Sequence, residues 1–105
     1  MAKEKLVHIY GQEIWHGDAF IVANKEGLLA ISQAINQALT KGKGVTEVMP
    51  ADGEGFALKI LCRNDEWLSP FWDNLAMPYT DNVHYRKREA IYPWHLKELF
   101  DKPLT

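Results

Sequence analysis

The densest group of residues with binding chemistry is the run His84-Tyr85-Arg86-Lys87-Arg88. Guanidinium groups hold phosphate through paired hydrogen bonds, and an aromatic ring stacks on a flat ring system. Eight of the twelve aromatic residues of the chain lie between positions 67 and 100, so further rings surround this run. These residue types at this spacing are typical of a site for a planar, anionic ligand.

The predicted ligand is a small phosphate-bearing nucleotide. We expect arginines to hold its phosphate and a ring to stack on its base. The residues predicted to bind it are Arg63, Tyr85, Arg86, Arg88 and Trp94. The rings of this region are equally typical of a small core or of a subunit interface, in which Trp, Tyr and Arg are enriched. We call residues 67–100 the aromatic tail. Its rings could form a ligand site, part of the core or a subunit interface, and all three interpretations stay open.

The charge distribution narrows the class of ligand. The net charge is −2 and the sequence pI is about 6.0. Residues 1–82 carry seven Lys or Arg and eleven Asp or Glu, whereas residues 83–105 carry five and three. Proteins that bind duplex nucleic acid usually present a broad basic face. We therefore expect no polymeric nucleic acid as a partner, whereas a compact anion needs only two or three cations.

Length and composition predict a single domain, residues 1–105, with ordinary globular content: 47% hydrophobic and 25% charged residues. No apolar run is long enough to span a bilayer, and Cys62 is the one cysteine, which is typical of a reducing compartment. We expect a cytoplasmic protein without membrane contact. Four Trp and four Phe in so short a chain also predict a homo-oligomer, a dimer or higher.

Catalytic and metal chemistry find little support in the sequence. His16 and Asp18 are close enough to form a general-base pair, although they flank a turn. The four histidines have no spacing typical of a metal site, and Cys62 alternates with apolar residues as a small core residue would. We therefore predict no enzyme, no metal and no cofactor.

The first half of the chain has clear patterns of secondary structure. Residues 6–10 and 18–23 are predicted as strands that pair as a hairpin. Residues 25–39 are predicted as a helix, which begins after the N-cap Asn24 and ends in Lys41-Gly42-Lys43-Gly44. Its apolar stripe, widened by alanines, is expected to cover a sheet. The large residues of that stripe are Leu28, Ile31, Ile35 and Leu39.

The second half begins with two more strands, residues 45–49 and 56–62, joined by a turn at Asp52-Gly53. Alternation predicts that Lys59 and Arg63 point away from the helix. Residues 64–79 are predicted as short turns or a long packed loop, 83–88 as a late strand, and 94–100 as a helix after Pro93. These elements predict an α+β fold: a mainly antiparallel sheet, one long amphipathic helix across one face and a short C-terminal helix.

Part of the sequence resembles a family of small phage proteins. The resemblance covers roughly the first half of the chain and is carried by His8-Ile9-Tyr10-Gly11, the stretch from Gly17 to Leu28, Ala34-Ile35, Ala38-Leu39 and Ala51-Asp52-Gly53-Glu54-Gly55-Phe56. It is similar to phage proteins that sequester immune signalling nucleotides, of the Thoeris anti-defence sponge type. That resemblance implies a small, oligomeric, non-enzymatic protein that binds cyclic nucleotides.

Three classes of function follow. The first is a non-catalytic protein that sequesters a small phosphate-bearing signalling nucleotide, such as a cyclic nucleotide, as a phage counter-defence protein would. The second is a protein-binding module, a toxin-neutralising or inhibitory partner, with anchors at Trp67, Trp72 and Trp94 and an acidic face. The third, and least supported, is a small enzyme that uses His16 and Asp18.

Overall fold

The computed structural model describes residues 4–78 and 90–101 and confirms the α+β prediction. The elements in chain order are β1 (Val7–Tyr10), β2 (Phe20–Ala23), α1 (Lys25–Lys41), β3 (Lys43–Val48), β4 (Phe56–Leu61), α2 (Pro70–Asn74) and α3 (Pro93–Asp101). The chain forms two compact units. Unit 1 comprises Met1–Tyr10 and Ala19–Arg63, and unit 2 comprises Gly11–Asp18 and Asn64–Thr105. The single domain over residues 1–105 stays a prediction.

Helix α1 begins at Lys25, as predicted, and ends at Lys41, two residues beyond the predicted end at Leu39. The Asn24 side-chain Oδ1 accepts hydrogen bonds from the N–H groups of Gly27 (2.8 Å) and Leu6 (3.1 Å), and its Nδ2 donates to the Glu4 carbonyl (2.7 Å). Gly42 ends the helix in the left-handed conformation, at φ 90°, which a glycine adopts without strain. One cap residue thus connects the start of α1 to the segment that leads into β1.

The buried side of α1 differs from the predicted one. Its buried residues are small with one exception: Gly27, Ala30, Ile31, Ala34 and Ala38. The prediction that Leu28, Ile35 and Leu39 cover the sheet is wrong, because these three side chains are exposed. They lie about 100° around the helix axis from the buried stripe. The helix lies so close to the strands that only small side chains fit between them, and the large ones are left on its flank.

Glycines permit this close approach in the first turn of the helix and near its middle. A Cβ on Gly44 of β3 would collide with the Ala34 carbonyl, and a Cβ on Gly27 would collide with the Leu6 carbonyl. Strands β3 and β4 pair antiparallel, with Gly44 opposite Ile60 and Val48 opposite Phe56. The helix-facing side of this hairpin contributes Val48 to the core, with Phe56 and Leu58 packed against it.

The second hairpin, β1 and β2, is also antiparallel, as predicted. It joins β3 through a parallel bridge between Leu6 and Met49, in which the Val7 N–H donates to the Met49 carbonyl at 2.9 Å. Only one end of the hairpin contributes to the core: Val7 is fully buried and Ala23 packs against the core cluster. The other end of the hairpin extends beyond the core.

Unit 2 contains the short helix α2, where turns or a loop were predicted, and helix α3, which begins at Pro93 as predicted. A parallel bridge between Leu75 and Ile91 connects the two segments that carry these helices. None of the described residues of unit 2 is buried. The predicted strand at 83–88 lies outside the described residues. None of the described helices has the length and apolar character needed to cross a membrane.

We expect Gly44→Ala to destabilise unit 1 strongly, because the added methyl group meets backbone rather than a movable side chain. The free energy of unfolding should fall by at least about 2 kcal/mol, and the Tm by about 10 °C. Thermal unfolding followed by circular dichroism measures both. The matched control is Gly55→Ala, whose methyl group has Val48 O as its nearest neighbour at 3.7 Å. Equal Tm values for the two variants would contradict the close approach.

Asn24→Ala should lower the free energy of unfolding more than the loss of an ordinary helix cap does, because three hydrogen bonds are lost at once. We expect a loss of about 2–3 kcal/mol in unfolding free energy, against about 1 kcal/mol for a typical cap. Asn24→Asp keeps both accepted bonds and loses the donated one, so its stability should lie between those of the alanine variant and the wild type. Urea denaturation of the three proteins tests that order.

Candidate functional site

The structure describes two of the five residues predicted to bind a ligand. Arg63 is half-buried and lies two residues beyond the end of β4, in unit 1. Trp94 is the second residue of α3, in unit 2, and is 67% exposed. Tyr85, Arg86 and Arg88 lie outside the described residues. Arg63 and Trp94 therefore belong to different units, and each is considered within its own.

An aromatic group at the start of α3 surrounds Trp94. The rings of Tyr92 and Trp94 are stacked, with centroids 4.6 Å apart and planes 8° from parallel. The His95 N–H donates to the Tyr92 carbonyl at 2.9 Å, and the Tyr92 N–H donates to His95 Nδ1 at 3.1 Å. This reciprocal pair fixes the first turn of α3 and holds the stack in place. The arrangement presents a flat indole surface that a ring ligand or an apolar partner group could cover.

The segment 64–78 carries two more tryptophans. Trp67 is 85% exposed, the largest exposed fraction among the exposed large apolar side chains of the described residues. Trp72 is anchored: its indole N–H donates to the Asp65 carbonyl at 3.1 Å, and its ring meets Phe71 edge to face at 5.4 Å. The same segment contains three acidic residues and no Lys or Arg. It therefore combines apolar anchors with negative charge.

Unit 1 has an open groove of about 370 Å³ beside β1. It is lined by Val7, His8, Ile9, Tyr10, Pro50 and Phe56. The Ala51 N–H donates to His8 Nε2 at 2.9 Å, so the ring proton must lie on Nδ1, from which it donates to the Tyr10 hydroxyl at 2.9 Å. Both imidazole nitrogens therefore have structural partners, and His8 is not arranged as a general base.

The other candidate catalytic groups are not brought together. His16 has φ 65° and packs its ring on Trp15 at 4.3 Å, and within residues 4–78 no hydrogen bond joins it to Asp18. Cys62 is half-buried, and its N–H donates to the Gly42 carbonyl at 2.8 Å. The described residues contain no group of three His, Cys, Asp or Glu side chains that could hold a metal ion. The geometry thus provides no assembled nucleophile, base pair or metal site in the described part of the chain.

Comparisons with models of protein families, with curated proteins and with solved structures find no match to this chain.

The sequence indicated the aromatic tail but not how its members differ. Trp67 and Trp94 are open to solvent, whereas Trp72 is held by a hydrogen bond. Exposed Trp15 was not among the predicted anchors, and it lies in unit 2 together with the other three. Its neighbours Ile14 and His16 form an apolar and aromatic cluster in the sequence, and this pattern could have pointed to it.

Proposed function

We propose that this protein is a non-enzymatic binding module that attaches to another protein through the tryptophans of unit 2. The observation that carries the proposal is that unit 2 is rich in tryptophan but does not bury these side chains. None of its described residues is buried, while Trp15, Trp67 and Trp94 are each at least two-thirds exposed. A tryptophan carries a large apolar area, and leaving three of them in water is unfavourable unless a partner covers them.

Tryptophan is the residue type best suited to such a role. Truncating a buried interface tryptophan commonly costs 2 kcal/mol or more of binding free energy, because its large rigid side chain fills a pocket at little entropic cost. Trp67 is the principal anchor in this proposal because it is the most exposed of the three. The anchored ring of Trp72 lies five residues further along the chain, in the same segment 64–78.

The charge of this surface indicates the chemistry of the partner. Asp65, Glu66 and Asp73 flank the aromatic residues, and residues 64–78 contain no cation. A partner with an apolar pocket and a rim of Lys or Arg is complementary to this combination, and the charges would speed association and exclude acidic partners. A toxin-neutralising or inhibitory protein has these properties. The proposal places the protein in the cytoplasm, supported by its single cysteine.

We expect Trp67→Ala to weaken partner binding without changing the fold. The free protein should keep its stability within about 0.5 kcal/mol, because the side chain is 85% exposed. Affinity for the partner isolated with the wild-type protein should fall by at least about 30-fold, equivalent to about 2 kcal/mol. Biolayer interferometry against that purified partner measures the loss.

The control is Leu39→Ala, which removes another exposed apolar side chain, 68% exposed, from α1 in unit 1. It should leave the affinity unchanged. Raising the salt from about 0.05 M to about 0.5 M should slow association, since the acidic rim is screened. An affinity that is insensitive to Trp67→Ala and falls with Leu39→Ala would refute this function.

A second function, sequestration of a small phosphate-bearing signalling nucleotide, is supported by the stack of Tyr92 and Trp94. The stack lies four to ten residues after the basic run 84–88 in the sequence and presents an exposed indole. Stacking on such a ring contributes about 1–3 kcal/mol per base, and arginine pairs with phosphate. The resemblance to anti-defence sponges implies the same ligand class. This nucleotide would be bound without chemical change.

Calorimetry with cyclic dinucleotides, cyclic trinucleotides and ADP-ribose derivatives tests the nucleotide proposal. We expect Trp94→Ala to weaken binding by about 1–3 kcal/mol and Arg86→Ala or Arg88→Ala by about 1.5–3 kcal/mol. Lys97→Ala, which removes an exposed cation from the same helix as Trp94, is the control and should have no effect. Absence of heat with every nucleotide would eliminate this second function and leave the first in place.

A further inference from the structure

We propose that the outer edge of β2 pairs with β2 of a second copy of this chain, antiparallel and about a two-fold axis at Ile21. The two β1–β2 hairpins would then form one four-stranded sheet. The residues of this edge belong to unit 1, whereas the tryptophans belong to unit 2. The inference does not depend on the identity of the ligand or partner.

The direction of the backbone groups of β2 follows from two hydrogen bonds. The Asn24 N–H donates to the Leu6 carbonyl at 3.1 Å, and Leu6 is the residue opposite Asn24 when the register of the hairpin is continued by one position. In an antiparallel pair, residues that bond across the ladder alternate with residues that point outward. On β1, the outward residue is Val7, whose N–H bonds Met49 at 2.9 Å, in agreement with this alternation.

Counting by two from Asn24, Val22 and Phe20 bond to β1, whereas Ala23 and Ile21 direct their N–H and C=O groups to the outer edge. Within residues 4–78 and 90–101, β2 pairs with β1 alone. The edge therefore offers a row of backbone donors and acceptors to a further strand.

The side chains of β2 do not block the pairing of that edge with a further strand. Natural edge strands are usually blocked by a lysine, a proline or a bulge, and the sequence Phe20-Ile21-Val22-Ala23 has no charge and no proline. Phe20, Ile21 and Val22 are 58%, 56% and 62% exposed, on both faces of the hairpin. Two strands alone are marginal in water, and a sheet of three or more strands with an apolar face is stable. A further strand on the outer edge of β2 would bring the hairpin to that number of strands.

The strand is complementary to itself. A two-fold axis at Ile21 places the outward-pointing Ile21 groups of the two copies as a hydrogen-bonded pair, with Phe20 opposite Val22 of the second copy. Because Ile9 lies opposite Ile21 in the hairpin, four isoleucines then form one continuous row across the sheet. On the other face, Tyr10, Phe20 and the second copy's Val22 form a row of aromatic and β-branched contacts, which is a favourable cross-strand combination.

Charge also favours the antiparallel second copy. In the sequence, the nearest charged residues are Asp18 before the strand and Lys25 after it. In the antiparallel register about Ile21, Asp18 of one copy would be opposite Asn24 of the other, one residue before Lys25, at both ends of the interface. Parallel self-pairing would instead bring like charges together. A strand with an acid at its start and a cation at its end is therefore suited to its own reversed copy.

Sedimentation velocity on the full chain tests this inference. We expect the wild-type protein at roughly 50 µM to contain a dimer that dissociates on dilution. Ile21→Lys should raise the dimer dissociation constant by at least about tenfold, because two lysines face each other across the axis. Leu39→Lys, which places the same charge on exposed α1, should leave the dimer unchanged. A dimer unaffected by Ile21→Lys would overturn the proposal, as would a wild-type monomer.

A charge exchange makes the test specific for the two-fold axis. Ile21→Asp alone should weaken the dimer to the same degree as Ile21→Lys, whereas an equimolar mixture of Ile21→Lys and Ile21→Asp proteins should form a heterodimer, since opposite charges then meet at the axis. This rescue distinguishes lost pairing from lost folding, because misfolded chains would not recombine. A mixture that stays monomeric would overturn the register. A wild-type dimer lost with Trp67→Ala and kept with Ile21→Lys would also overturn it, by assigning the contact to unit 2.

Discussion

The close approach of α1 to its strands is the constraint on which the rest of unit 1 depends. Gly44 and Gly27 have no room for a side chain, so the helix lies almost on the backbone of its neighbouring strands in its first turn and near its middle. That distance admits only alanine-sized groups along most of the buried stripe. As a result, the core of the described residues is small, and the larger apolar side chains of the helix remain at the surface.

Local chemistry accounts for the parts of the fold that the sequence predicted well. Asn24 is an N-cap in the structure because its side chain accepts the Gly27 N–H, and Gly42 ends the helix because only glycine adopts its positive φ cheaply. The hairpin turn at Gly53, with φ 83°, follows the same logic. Each of these features depends on residues within a few positions of one another, so the sequence alone is sufficient.

The distribution of exposure could not be predicted in the same way. Leu28, Ile35 and Leu39 have helical spacing, yet burial is decided by how close β3 comes, which depends on Gly44 of that strand and not on the pattern within the helix. The same limitation applies to the site. The sequence indicated that tryptophans are concentrated in the tail, but the exposure of Trp67 and the hydrogen bond of Trp72 depend on tertiary structure. Likewise, the proton position on His8 follows from an N–H group 43 residues away.

The small core has a thermodynamic consequence. The heat-capacity change of unfolding scales with the apolar area that becomes exposed. Many large apolar side chains of this protein are already in water in the folded, unbound state, so unfolding exposes little more. The stability curve of the isolated protein should therefore be unusually shallow with temperature. The missing heat capacity would appear instead when the exposed strands, helix flank and tryptophans are covered, so association rather than folding carries the calorimetric signature of apolar burial.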